Sequence, residues 1–317
     1  VMRFSTATVD RIGIPVYRGA DGQDTWPAGG TLNSNRAFHT STLLPDGGIL
    51  TCGGSDGVRP LATCELMDSL TKQWAVTGSM NSPRANHTAT LLPNGAVLAA
   101  GGITPAGIAV SSAEVYYPDT QRWVPILSMA EARQLHTATL MPDGNVLVAG
   151  GAAPSAYSAT AELYISSAAH WLTTGSMAEG RSQHTATLLK NGNVLVAGGI
   201  NSLGAITETG VYDYILRTFS AGPSLTIARY SHTANQLRDG NVIVTGGSSS
   251  TDSLKSCEIY DGTNWTEIAD LNLPRANHRS TLLPNGKLML TGGEMSGSVQ
   301  YMPEGFDPDY RSWNLQG

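Results

Sequence analysis

"RQLHTATLMPDGNVLVAGG", residues 133 to 151, is the third statement of a phrase the chain repeats. "RANHTATLLPNGAVLAAGG" begins at Arg84, "RSQHTATLLKNGNVLVAGG" at Arg181 and "RYSHTANQLRDGNVIVTGG" at Arg229. Each copy reads as local structure. "HTATL" is rich in Thr and Leu and predicts an extended strand, and the Asp-Gly or Asn-Gly that follows is a strong hairpin signal. "NVLVAGG" is a continuous apolar run, the pattern of a strand buried on both faces. The closing Gly pair predicts a backbone conformation or close approach that a side chain would block.

An Arg-x-x-His pair recurs at Arg36/His39, Arg84/His87, Arg133/His136, Arg181/His184, Arg229/His232 and Arg275/His278. Gly pairs follow at 53–54, 101–102, 150–151, 198–199, 246–247 and 292–293. The period of 46 to 49 residues suits propeller blades rather than helical repeats. After a variable stretch, "AEVYYPDTQRW" or a relative predicts a third strand, a Pro-Asp turn and a fourth strand. Trp74, Trp123, Trp171, Phe219, Trp265 and Trp313 open that last strand, where a large ring fills the wedge between twisted sheets. Helix signals are absent.

Composition narrows the function classes. Of 317 residues only 14% are charged, with a net charge of -6 and no Lys/Arg cluster, which argues against a nucleic-acid partner. No apolar stretch is long enough to span a bilayer, so no membrane insertion is expected. The first residues, "VMRFSTATVD", lack the basic start and apolar core of a signal peptide. Cys52, Cys64 and Cys257 have no metal-site spacing. Cys52 and Cys64 are expected on neighbouring strands of one hairpin, either as a cross-strand disulfide or as two buried thiols.

The Gly pair, the Tyr six or seven residues before a Trp, and the period resemble Kelch repeats. The variant "HTATLLPDG…V…GG" is similar to bacterial Kelch proteins and to the central domain of galactose oxidase. The resemblance covers residues 31 to 317 and implies an all-β, Kelch-type β-propeller of four-stranded antiparallel blades. Six repeats span 36–317 as one propeller domain. Residues 1–35 carry Trp26 and "FSTATV", expected either as a degenerate first blade, giving seven, or as strands closing a six-bladed ring.

A group needed once for chemistry has no reason to be installed six times. The repeated His, Arg and Glu (65, 114, 162, 258 and 304) are therefore read as scaffold tying neighbouring blades, not as a metal ring. Function is sought where the copies differ. The residue before each repeated His is Phe38, Asn86, Leu135, Gln183, Ser231 or Asn277, expected at the mouth of the channel. Such positions either line a site for a neutral polar ligand or merely wet a water-filled channel. The loops after the Gly pairs add Arg59, Tyr157 and Asp252, with Glu294 nearby, and Tyr230 precedes Ser231.

In galactose oxidase-like copper enzymes, the metal's tyrosines fall at the pre-histidine position. Here Phe38 is the nearest match and Tyr230 lies one residue early, so the resemblance does not extend to a copper-radical site, and no cofactor or metal is expected. A binding module for a glycan, peptide or protein partner is the expected function. The alternative is a propeller enzyme of the epimerase, lyase or cyclase type, and a lattice component is a third reading. Low Lys content and abundant Ser and Thr point toward an extracellular or cell-surface protein.

Overall fold

The computed structural model describes residues 30–153, 156–295 and 297–315, with the backbone of two short paired strands, Tyr17–Arg18 and Asp24–Thr25. The described regular elements are all strands, and the larger sheets are six four-stranded antiparallel blades. Three blades fall in one compact unit, Gly29–Ser182, and three in a second, Gln183–Gly317.

In the first unit, blade one comprises Thr40–Leu43, Ile49–Cys52, Cys64–Met67 and Trp74–Thr77. Blade two comprises Thr88–Leu91, Val97–Ala100, Ala113–Tyr117 and Arg122–Ile126. Blade three runs from Thr137–Leu140 to His170–Thr173. In the second unit the first strands are Thr185–Leu188, Thr233–Gln236 and Arg279–Leu282. The described residues thus show the six-blade form. The seven-blade alternative relied on residues 4–9 and Trp26, which lie outside the described residues.

Burial follows the sequence pattern strand by strand. Val97–Ala100, Val146–Ala149, Val194–Ala197 and Val242–Thr245 are buried throughout, as their apolar runs predict. They pack on both faces, and each large aliphatic side chain removed from water contributes about 1.5–3 kcal/mol. Leu98, Val115, Val146 and Val148 form one such core between blades two and three. The fourth strands are largely exposed apart from their tryptophan because they form the outer edge. Trp123 is buried there, stacks obliquely on Tyr116 with ring centroids 5.2 Å apart, and donates its indole N–H to Gly78 O at 3.1 Å. Trp171 repeats the device on Leu127 O and Trp313 on Ala269 O.

The Gly pairs are the joints between blades. Gly54 donates to Arg84 O at 2.9 Å, Gly102 to Arg133 O at 2.9 Å and Gly247 to Arg275 O at 2.8 Å. Gly102 adopts φ +97°, and a Cβ there would sit 2.6 Å from Ala85 O, so backbone closeness and conformation both demand glycine. Cys52 and Cys64 lie directly opposite one another on adjacent strands, and both are buried free thiols.

Candidate functional site

The pre-histidine positions share an unusual backbone. Phe38, Asn86, Leu135, Gln183, Ser231 and Asn277 all have positive φ, between 50° and 57°. Asn accommodates this left-handed conformation readily, whereas Phe and Leu adopt it at a cost of roughly 1–2 kcal/mol. A hydrogen-bond relay holds them there. In the first unit Asn86 N donates to Phe38 O, and Leu135 N donates to Asn86 O, both at 3.1 Å. In the second unit Ser231 N donates to Gln183 O at 3.0 Å and Asn277 N to Ser231 O at 2.9 Å. Each carbonyl that accepts belongs to the preceding repeat, so the main chain is fixed and the side chain is left to vary.

Those side chains differ in what they touch. Phe38 is 52% exposed, and Asn277 is also exposed. Asn86 Nδ2 donates to Gln134 Oε1 at 3.1 Å, Ser231 Oγ to Gln183 Oε1 at 2.6 Å, and Asn277 Nδ2 to Glu294 Oε1 at 2.7 Å. Leu135 is half-buried.

The loops after the Gly pairs reach the same end of each blade. Antiparallel bridges join Ala37 to Ser55, Ala85 to Ile103, Gln134 to Ala152, Tyr230 to Ser248 and Ala276 to Glu294. The residue before five of the six variable positions therefore pairs with the residue just past a Gly pair. The last of these bridges brings Glu294 beside Asn277, while Tyr230, the chain neighbour of Ser231, is joined to Ser248. Tyr157, farther along the loop of blade three, pairs with the same Ala152 that bridges Gln134. Arg59 and Asp252 stand apart on exposed turns. Asp56 accepts from the backbone N–H groups of Arg59 and Val58 at 2.8 Å, which lowers its carboxyl from the ordinary value, and Ser249 N donates to Asp252 O at 2.8 Å.

The repeated polar groups are tied into the scaffold. His87 Nε2 meets Thr40 Oγ1 of the preceding repeat at 3.0 Å. The same contact joins His136 to Thr88, His232 to Thr185 and His278 to Thr233, at 2.9, 2.9 and 3.0 Å. Burial drives His87 down to about 3, with the Arg84 and then the His39 charge adding to it. His278 is also held at about 3, by burial first and then by Arg275 and Arg279.

The Arg–Glu pairs do less between blades than their repetition predicts. Arg84 Nη2 meets Glu114 Oε1 at 2.8 Å inside blade two, and Nη1 donates to Gly101 O and Ser112 O of the same blade. Arg36–Glu65, Arg133–Glu162, Arg229–Glu258 and Arg275–Glu304 repeat it. The ion pair thus pins the incoming chain to its own blade, and it is the Arg carbonyl that bonds to the blade before. Burial would raise the Glu65 carboxyl, but Asn33 and Arg36 donate to it strongly enough to bring it below its ordinary value. In the fourth repeat Gly210 takes the register place of the glutamate.

Among the described residues, no three His, Cys, Asp or Glu side chains gather closely enough to hold a metal ion. The sequence did not disclose the shared left-handed backbone. Its trace was the mixture of Asn, Ser and Gln at one register point, residues that tolerate turns.

No protein-family model matches the chain, and no curated protein matches it by sequence. Its likeness is to solved structures. A fungal alcohol oxidase of the AA5 family, in complex with copper, matches with a TM-score of 0.71 at 17% identity, covering 89% of this chain and 65% of that one. YjhT matches with a TM-score of 0.71 at 14% identity, covering 90% of this chain and 98% of that one. This chain therefore spans about two thirds of the oxidase's length and nearly all of YjhT's. At such identities the likeness shows the fold alone, and that fold is the β-propeller.

Proposed function

We propose that this Kelch-like propeller is a binding module, presenting the variable positions and neighbouring loops to a glycan, peptide or protein partner outside the cell or at its surface. One observation carries the reading. Six positions share one strained backbone conformation, yet they bear Phe, Asn, Leu, Gln, Ser and Asn. A scaffold role would favour one well-suited residue throughout, whereas recognition needs different chemistry on a constant frame. Exposed Phe38 supplies an aromatic face, and the amides supply donors and acceptors for a neutral polar ligand. Arg59, Tyr157, Tyr230 and Asp252 extend the candidate surface. Nucleic acid is not a proposed partner.

A glycan and partner-protein screen, followed by Phe38→Ala and Asn86→Ala, tests this. Each substitution is expected to weaken binding at least ten-fold while the protein stays folded, and unchanged binding in both defeats the placement.

The second reading is an enzyme at the same positions. It is favoured by Tyr230, the chain neighbour of Ser231, and by Glu294, which the bridge to Ala276 sets beside Asn277, because a phenol and a carboxylate can move protons. Since the fungal neighbour is in complex with copper, elemental analysis of the purified protein separates the readings. Stoichiometric metal would favour the enzyme.

A further inference from the structure

We infer that Cys52 and Cys64 are a disulfide site, closed by thiol–disulfide exchange with a low-molecular-weight disulfide such as oxidised glutathione. The two face each other across the second and third strands of blade one. The neighbouring bond, Gly53 N to Thr63 O at 3.1 Å, makes this a non-hydrogen-bonded pair. Opposed Cα atoms in such pairs approach to about 4.5 Å, within the span a disulfide bridges.

The other blades show why the pair is informative. The same register place holds Ala100 with Ala113, Ala149 with Ala161, Ala197 with Thr209, and Thr245 with Cys257. Space there admits only small side chains, and only blade one places sulfur on both strands. Cys257, facing Thr245, has no sulfur to join and serves as an internal control.

The reaction has two exchanges. A cysteine thiolate of the pair attacks one sulfur of oxidised glutathione and expels a glutathione thiolate. The second cysteine thiolate then attacks the protein sulfur of the mixed disulfide and expels the other. The protein loses two thiol protons and two electrons, and one oxidised glutathione becomes two reduced molecules. Cys52 and Cys64 are 1% and 0% exposed in the folded blade, so exchange belongs to the time before the blade closes. Burial, reinforced by a hydrogen bond with Cys64, holds the Cys52 thiol well above its ordinary value, so once folded Cys52 is a poor nucleophile.

The test refolds the reduced chain in a mixed glutathione buffer, removes glutathione, and counts thiols in denaturant by alkylation and mass spectrometry. One thiol is expected in the parent protein, none in Cys257→Ser and two in Cys52→Ser. A peptide pair linked through Cys52 and Cys64 is expected only before reduction. The oxidised protein should melt about 4 °C above the same protein refolded with reductant. Three thiols in the parent protein, or a linkage that includes Cys257, would overturn the inference.

Discussion

His87 of the second repeat, itself buried, meets the half-buried Thr40 hydroxyl of the first, Nε2 to Oγ1 at 3.0 Å. The contact crosses from one blade to the next, and its equivalents recur within both units. Replacing Thr40 with Val keeps the shape and deletes the oxygen, leaving a buried imidazole nitrogen unsatisfied. Unfolding free energy should fall by about 1–3 kcal/mol in denaturant titrations. No change would mean that the imidazole finds another partner.

Acid should weaken the fold through the same histidines. His87 and His278 bind protons at about 3 when folded and near 6.5 when unfolded. Between those values the unfolded chain holds more protons, so stability falls as pH drops below about 6.5 and is fully present above it. Each histidine contributes a slope of up to about 1.4 kcal/mol per pH unit. Denaturant midpoints at pH 7, 6 and 5 check this, and a flat profile would show that the imidazoles charge without unfolding.

Removing Glu114 should be among the costliest single changes. Its Oε1 takes Arg84 Nη2 at 2.8 Å and its Oε2 takes Asn81 N at 2.7 Å. Glu114→Ala leaves a buried guanidinium charge without its counter-ion, an expected loss of about 3–5 kcal/mol. Circular dichroism melts would reveal it.

Two glycines of blade two separate strain from collision. Gly107 has φ +73°, and a Cβ added there would meet nothing within 4 Å, so Gly107→Ala should cost only about 1–2 kcal/mol of conformational strain. Gly102→Ala adds contacts at 2.6 Å to Ala85 O and 2.9 Å to His87 Cβ, and should cost more than about 3 kcal/mol. Equal losses would refute the role given to the Gly pair.

Leu135 carries the left-handed strain with no amide to ease it, at φ 53°. Leu135→Asn should relieve part of this and raise stability by roughly 0.5–1 kcal/mol, whereas the β-branched Leu135→Val should lower it by a similar amount. Thermal melts of the pair decide.

Much of this protein is local, and the sequence shows it. The apolar runs, the Asn-Gly and Asp-Gly turns and the closing Trp or Phe each specify their strand or turn through neighbours in the chain. Repetition then fixes the blade, because one unit cannot bury its two sheet faces alone. Even the scaffold role of the histidines followed from their being present six times.

Only the tertiary structure decided what joins to what. The ion pair from Arg84 turned inward to its own blade, while the carbonyl of that same residue reached back to Gly54. The left-handed turn at Phe38, Asn86 and Leu135 depends on a bond from each repeat to the one before it, and residues some 48 apart encode no such contact locally. Short-range propensities choose strands and turns; distant hydrogen bonds and burial choose partners, and those exist only once the blades have packed.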